Sequence, residues 1–470
     1  MAHAQQLFQP PGANLTFGDV THGQRAQSAS TNPAAAAADL AREGDAAQSG
    51  TVLSAAAGVE YGNIEQLWDY YDRLSQAFAK SDPDDDVGGP GQDPGDKPGD
   101  GIDLGGIWDL LDPDIQDEVN SVINQVTFQA TALALISAEG YGKAWVTADA
   151  PFVFKNEYFG GAWTMQLHWS GSSRAFGLGR AIEFSREDAQ AAIQDWFDTE
   201  VANRPNTLLI GDQVRLVIDA FGNVDFSLQN DSLLLAKSSQ LAALSLGYSR
   251  ELWSGAGGTL FVGLEGHLYN MRLSRYGVRL GDITDSEELF DEIRNADFES
   301  DARVGVDLGA LWVADNYQVG AQLRSINQPD FRFPAISLPI TDPDLIALLQ
   351  RDTTYTMERQ LKLEASLFSP DRRWSFHLAG DANSAKDPVG NEFQWLTASA
   401  GYSTRNDWFP GIRFGYRRNL VGTEKTYLSL GATLFKYFNV DLASALNTTR
   451  IDGRELPESL MVSIGFQVAW

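Results

Sequence analysis

Several groups of side chains in this 470-residue sequence have the types and spacing to do chemistry. Three of the five histidines, His168, His267 and His377, fall on the polar face of alternating segments. A His beside a Ser is the base and nucleophile of a hydrolase. Here no G-x-S-x-G or other local Ser pattern accompanies them, and single imidazoles on a polar strand face are the simpler reading, so no enzyme is expected. Asp82, Asp84, Asp86 and Asp93 stand at positions one, three, five and twelve of a calcium-binding loop. Val87 occupies the position that needs Gly, and Asp93 replaces the bidentate Glu, so the stretch reads as a solvated acidic linker. The basic residues Arg413, Arg417 and Arg418 could line an interior. There they could grip an anionic head group bidentately, or pair with acids of the same compartment. Gly255 to Gly258 and Gly160-Gly161 lack a phosphate-loop context and read as turns or kinks. With no Cys there is no disulfide and no thiolate metal site. No metal and no cofactor is expected.

The elements that must position these residues are strands. Leu460, Val462, Ile464, Phe466, Val468 and Trp470 are apolar at every second position, against a smaller or more polar face of Met461, Ser463, Gly465, Gln467 and Ala469. A side-chain period of two places the first set on one face. About 9–11 residues is the length a tilted strand needs to cross a bilayer. From about residue 145 onward the same period recurs, with Trp163, Met165, Leu167 and Trp169 against Thr164, Gln166 and His168. Val304, Val306, Leu308, Ala310 and Trp312 oppose Arg303, Gly305, Asp307 and Gly309. Leu361, Leu363, Ala365 and Leu367 oppose Gln360, Lys362, Glu364 and Ser366. Charged residues within such strands need a wet or paired face, which a barrel lumen provides. No run approaches 18 apolar residues, which excludes membrane helices but not a barrel. Connections alternate in length: 314–316, 369–372 and 436–437 are tight, whereas 273–299, 327–354 and 447–458 are long. That segregation is expected of a transmembrane barrel and not of a soluble sandwich. The expected fold is an all-β antiparallel transmembrane barrel of about 14 strands, with a range of roughly 12–16. Tyr, Trp and Phe at 11% and 44 Gly suit its girdles and wall, and the net charge of −28 argues against a nucleic-acid partner.

The organisation read from the chain has three parts. Residues 5–50 are small and polar, with Asn32-Pro33 as a turn and the run Ala34 to Ala38 as the start of a helix; they form a plug or hatch. Ala2-His3-Ala4 before Gln5 reads as the remnant of an export cleavage site. Residues 51–144 hold a first strand, Thr51 to Tyr61, then an insertion. The insertion has amphipathic helices over 64–78 and 113–135 around a stretch, 81–103, of eight Asp, four Pro and six Gly. Residues 145–470 are the main barrel, with loop helices over 186–201 and 286–293.

The strand closing on Phe466 and Trp470 resembles the insertion signal of bacterial outer-membrane barrels. The small amino-terminal element with Asn32-Pro33-Ala34 ahead of a strand-rich body resembles the FadL-type outer-membrane transporters. In that family a hatch with an Asn-Pro-Ala motif plugs the barrel and hydrophobic molecules pass through the hatch or a lateral opening. The acidic helical insertion, with Phe159-Gly160-Gly161-Ala162-Trp163, is closer in layout to the related TraF-type proteins, which carry a conjugal-transfer name. The resemblance implies a bacterial outer-membrane location, contact with the lipid bilayer and lipopolysaccharide, delivery by the barrel assembly machinery, and passive uptake of a small hydrophobic, fatty-acid-like compound. Phe331, Phe333, Ile336, Leu338, Ile340, Leu345 and Leu349 make one long loop greasy enough to capture such a ligand, or to pack over the barrel mouth. The alternative is a structural or interaction protein of an envelope assembly such as a conjugal transfer apparatus.

Overall fold

The structure is a computed structural model that describes residues 10–22, 31–43, 49–62, 140–156, 160–178, 207–210, 214–218, 224–228, 231–279, 282, 286–404, 406, 408–451 and 454–469. The expected helices over 64–78, 113–135 and 186–201, the acidic stretch 81–103 and Trp470 lie outside them.

Fourteen antiparallel strands close into one barrel, at the centre of the expected range. They are β1 (Gly50–Gly62), β2 (Tyr141–Asn156), β3 (Gly161–Leu178), β4 (Leu233–Gly255), β5 (Gly258–Arg279), β6 (Phe298–Val313) and β7 (Tyr317–Arg324). The series continues with β8 (Gln360–Phe368), β9 (Trp374–Asp381), β10 (Trp395–Ser403), β11 (Gly411–Asn419), β12 (Thr426–Leu434), β13 (Phe438–Ala445) and β14 (Ser459–Ala469). Each strand pairs with its chain neighbour. The final strand pairs with the first, Leu53 opposite Phe466 and Ala55 opposite Ile464, so the sheet has no free edge.

The period-two faces behave as their chemistry dictates. Leu460, Val462 and Ile464 are exposed on the outside of β14, while Ser459, Met461 and Ser463 are buried inside. On β8, Leu361, Leu363 and Leu367 face out and Gln360, Lys362, Glu364 and Ser366 face in. An aqueous exterior would reverse this preference, so the outer face is a hydrocarbon-facing one. Trp163, Trp253, Trp312, Trp374, Trp408, Phe435 and Tyr437 cluster outside at one end, as an aromatic girdle at a membrane interface. Trp253 stacks on Trp312 there, with ring centres 5.5 Å apart. Among the described residues no helix is long and apolar enough to cross a membrane.

Two short helices of the amino-terminal region, α1 (Asn14–Phe17) and α2 (Ala35–Glu43), sit inside the barrel, and every side chain of residues 10–22 is buried. Ala34, Ala36, Ala37 and Ala38 pack against Val52, Val153, Ala162, Phe261 and Leu311 on inward faces of β1, β2, β3, β5 and β6. Small alanines allow the helix to lie close to the wall, where a larger side chain would clash.

Loop length is segregated by end. The girdle end carries only short connections, such as 256–257, 314–316 and 435–437. The opposite end carries the long ones. The connection 280–297 includes α3 (Ser286–Asn295), and that from 325 to 359 includes the two-stranded pair Asp330–Arg332 with Thr354–Thr356 and the helix α4 (Pro343–Arg351). The hairpin Thr448–Ile451 with Arg454–Pro457 lies there too, as does a three-stranded sheet, Thr207–Ile210, Val214–Ile218 and Val224–Leu228, between β3 and β4. Gly62 and Tyr141, which flank the insertion, both stand at this end.

Candidate functional site: a bolted plug beneath an apolar strap

Backbone approach sets the position of the plug. A methyl group at Gly263 of β5 would lie 2.1 Å from the Pro33 carbonyl oxygen, and one at Gly309 of β6 would lie 2.1 Å from Asn32 Oδ1. On the far wall a methyl at Gly415 of β11 would lie 2.1 Å from the Thr16 carbonyl oxygen. These glycines are gaps in the inward face into which the plug backbone fits. Asn32 Oδ1 also accepts a bond from Ala34 N (3.0 Å), an Asx turn that starts α2.

Polar bolts then lock the plug. Glu364 of β8 accepts from Thr21 N (2.7 Å), Thr21 Oγ1 (2.9 Å) and Asn32 Nδ2 (2.9 Å), so one wall carboxylate gathers two plug segments. Asp19, in the turn after α1, faces Arg324 of β7 (2.5 Å) and Lys362 of β8 (3.0 Å). Burial alone would raise the Asp19 carboxyl, but the Lys362 and Arg324 charges outweigh it and hold its pKa below the usual carboxylate value. Gln318 of β7 donates to the Thr21 carbonyl, and Arg42 of α2 donates to Gln318. Ser463 of β14 accepts from Gly12 N (2.6 Å), and Ser399 of β10 donates to the Phe17 carbonyl (3.0 Å). His22 stacks on Phe17 with ring centres 4.5 Å apart, and burial, with the nearby His377 and Arg413, pushes its pKa well below the ordinary value.

The three arginines part company. Arg413 is 2% exposed and makes a fork to Asp441 (Nη2–Oδ2 2.9 Å, Nε–Oδ1 3.2 Å), which also accepts from Thr16 Oγ1 at 2.5 Å. It pairs with a lumenal acid and through it holds α1. Arg417 also faces in, its guanidinium 3.6 Å from the centre of the Trp395 ring. Arg418 corrects the expected trio: it lies on the outer, exposed face of β11, because adjacent strand residues point to opposite sides.

The long-loop mouth is closed by a strap. Alternate positions turn inward, with a change of phase at Pro334: Phe331 and Phe333 are buried, and Ile336, Leu338 and Ile340 pack with Leu349 against Leu233 and Leu235 of β4 and Phe176 and Leu178 of β3. Leu345 is half-buried. Leu338 and Ile336 use the space left by Gly277 of β5, where a methyl would lie 3.1 and 3.3 Å from their Cδ1 atoms. The helix α4 was not expected, although its signal is legible: Asp342 caps it, accepting from Asp344 N (2.8 Å) and Leu345 N (3.2 Å), and Pro343 opens it. Arg275 of β5, 4% exposed, donates to the carbonyls of Leu349 (2.9 Å), Asp352 (2.8 Å) and Pro334 (3.3 Å), tying both ends of the strap to one side chain. Lys237 of β4 pairs with Asp352. Asp231 accepts from Thr341 N (2.6 Å), Thr341 Oγ1 (2.7 Å) and Asp342 N (2.6 Å); these bonds outweigh burial and lower its pKa.

Beneath the strap, the inward faces of β4 and β5 are apolar where a water-filled pore is polar. Leu241, Ala243, Tyr269, Met271 and Leu273 meet Phe331, Phe333, Tyr355 and Met357 in one buried cluster. The lane ends at Glu265 and Asp307, opposite each other on β5 and β6, directly before the plug glycines Gly263 and Gly309. The three strand histidines are lumenal. His267 shares a hydrogen bond with Ser245 (2.8 Å) with Asp307 3.8 Å from its other nitrogen, and His377 shares one with Ser366 (2.8 Å). The row Ser245–His267–Asp307 has the composition of a nucleophile relay, but Ser245 is buried, 4% exposed. Among the described residues no group of three or more potential metal ligands is assembled.

A closed barrel with an apolar exterior and an internal amino-terminal segment defines the class: a transmembrane β-barrel with a filled lumen. Residues 29–381, three quarters of the chain, match the family described as "F plasmid transfer operon, TraF, protein", and the chain belongs to that family. No curated protein matches the chain in sequence. Among solved structures it is similar to the Pseudomonas putida toluene transporter TodX, at 10% identity over 100% of this chain and 99% of that one with a TM-score of 0.41. It is also similar to a TodX deltaS2S3 mutant, described as a monoaromatic hydrocarbon channel, at 11% over 94% and 93% with a TM-score of 0.40. A Pseudomonas aeruginosa FadL homologue is similar at 9% over 99% and 98% with a TM-score of 0.26.

Proposed function

We propose that the protein is a bacterial outer-membrane barrel for passive uptake of small hydrophobic, fatty-acid-like compounds, its long-loop end facing outward. The observation that carries this reading is the apolar lane of Leu241, Ala243, Tyr269, Met271 and Leu273 on the inner faces of β4 and β5 beneath the strap. An aqueous pore gains nothing from Leu241, Met271 and Leu273 on its lumenal face, whereas an alkyl chain gains about 0.8 kcal/mol for each methylene it buries there. The residues 331–349 serve as the capture surface, Asn32-Pro33-Ala34 as the hatch motif, and 5–50 as the plug. The test is mass-spectrometric identification of lipophiles bound to gently extracted protein, beside a variant lacking residues 327–350 and beside Met271→Lys. A bound alkyl compound lost in both variants supports uptake. An empty lumen in the parent protein overturns it.

The family match favours a second reading, an interaction role in an envelope assembly such as a conjugal transfer apparatus. Residues 63–139 join β1 to β2 between Gly62 and Tyr141, which stand at the long-loop end, and would be the partner-binding segment. Deleting them abolishes transfer on this reading and leaves lipophile binding intact on the first.

A further inference from the structure

The outside of a barrel is ordinarily convex, yet this one is dented. A hollow of about 850 Å³ opens on the outer face across seven consecutive strands, from β13 through β14 and β1 to β5. That volume lies in the roughly 300–1,000 Å³ range of pockets that hold small molecules. Its shape follows from the register. Two ranks of outward residues run around the wall at one level. One rank is Val440, Ile464, Ala55, Ala148, Trp169, Ala242 and Asn270. The other, one step nearer the short-turn end, includes Phe438, Phe466 and Leu53, then Ala150, Leu167, Leu244 and Leu268. The middle of both ranks is alanine, between Ile464 and Trp169 in the first and between Leu53 and Leu167 in the second. The result is a trough floored by Ala55, Ala148 and Ala150.

A second observation falls at the same place. Pro151 stands inside β2, in a sheet without edges, where a missing N–H costs a ladder bond. The β1–β2 pairing runs from Thr51 opposite Phe152 directly to Ser54 opposite Asp149, skipping Val52 and Leu53 on β1 and Ala150 and Pro151 on β2. Thr51 Oγ1 donates to the Pro151 carbonyl (2.8 Å), fastening the rim of the gap. The wall is thus loosened where its floor is lowest.

We infer that this trough is a binding site for one acyl chain of a bilayer phospholipid. The occupant follows from continuity. The trough is part of the hydrocarbon-facing band, flanked by Leu53, Leu167, Leu268 and Ile464, all exposed, so bilayer hydrocarbon is the medium that reaches it. None of its outward-facing lining side chains is charged, so the chain and not the head group is what the trough recognises. The site faces away from the lumen and does not depend on the uptake reading.

The test is native mass spectrometry of the protein released from phosphatidylethanolamine and phosphatidylglycerol nanodiscs and stripped stepwise with detergent. The parent protein is expected to retain one phospholipid after bulk lipid is gone. Ala148→Trp and, independently, Ala242→Trp fill the trough and lose that lipid while keeping the heat-modifiable mobility of a folded barrel. Ala398→Trp, on the outer face of β10 away from the trough, retains it. No retained lipid in the parent, equal retention in both trough variants, or equal loss in the Ala398 variant overturns the proposal. A dimer that disappears in the trough variants also overturns it, and assigns the trough to a second copy of the chain.

Discussion

Removing the Glu364 carboxylate should release the plug without disturbing the barrel. Glu364 is 7% exposed and accepts three hydrogen bonds from Thr21 and Asn32, which lie eleven residues apart in the plug. Hydrogen bonds to a charged acceptor are worth about 1.5–3 kcal/mol each, and three that share one acceptor do not add in full. Glu364→Ala should therefore weaken docking by roughly 3–6 kcal/mol, or roughly 10²–10⁴-fold in the docked-to-undocked ratio. Glu364→Gln keeps one acceptor oxygen and should fall between Ala and the parent. The chain has no Cys, so Ala36→Cys on the fully buried face of α2 supplies a unique reporter. Its labelling by a polar maleimide in detergent measures undocking, with thermal unfolding of the barrel followed separately. The expected result is faster labelling in the order parent, Gln, Ala, at an unchanged barrel transition. An unchanged labelling rate in Glu364→Ala would refute the claim that this carboxylate bolts the plug. Loss of the barrel transition would place Glu364 in the wall's own stability instead.

Gly309→Leu and Gly263→Leu put side-chain atoms where Asn32 and Pro33 already sit, so each should accelerate the same labelling, whereas Gly266→Ala, with open space around its methyl, should not. Arg275→Met should free the strap, read as protease cleavage within 331–352 at a concentration that leaves the parent intact, because three carbonyls lose their common donor. Acidification should loosen the plug through His22. Its docked pKa lies well below the ordinary 6.5, so below that pH the undocked state takes up a proton that the docked state refuses, and docking weakens as pH falls. Asp19, whose docked pKa is also depressed, keeps its full contribution until the pH drops below the ordinary carboxylate value, so it does not add to the loss in this window. Maleimide labelling of the Ala36→Cys protein, normalised to denatured protein, should rise from about pH 7 to about pH 5, and His22→Phe should flatten the rise.

Strand identity and facing were legible in the sequence because both depend on neighbours two residues apart. The outward set Leu361, Leu363 and Leu367 and the end-segregated loops needed no tertiary information. Arg418 shows the same rule neglected: it follows Arg417 directly, and consecutive strand residues cannot share a face. The helix α4 is masked despite Asp342-Pro343, since the greasy run Phe331 to Leu349 reads first as hydrophobic surface and only then as a capped helix. The bolts of the plug were not legible at all. Thr21 and Glu364 are 343 residues apart, and which carboxylate meets which donor is fixed only when barrel register and plug depth are both set. The glycines Gly263 and Gly309 looked like ordinary strand glycines for the same reason.

The two closures of the lumen share one strand, and apolar packing has a larger part in the first than in the second. Gly277 receives the strap and Gly263 receives the plug, fourteen positions apart along β5, with the apolar lane between them. Arg275, Lys237 and Asp231 tie the ends of the strap, while its apolar stretch is buried through Phe331, Phe333, Leu338 and Leu349. An alkyl ligand offers the same kind of contact, so it can displace part of the strap at little net cost. The plug is held by Glu364, by Asp19 between Arg324 and Lys362, and by Thr16 on Asp441. An alkyl chain replaces none of those bonds, and leaving such groups buried and unpaired is costly. On the uptake reading, ligand binding therefore opens the first closure and not the second. Release of the plug needs a separate input that acts on charge, and His22, which refuses a proton while buried and takes one up on undocking, is a group already placed to receive it.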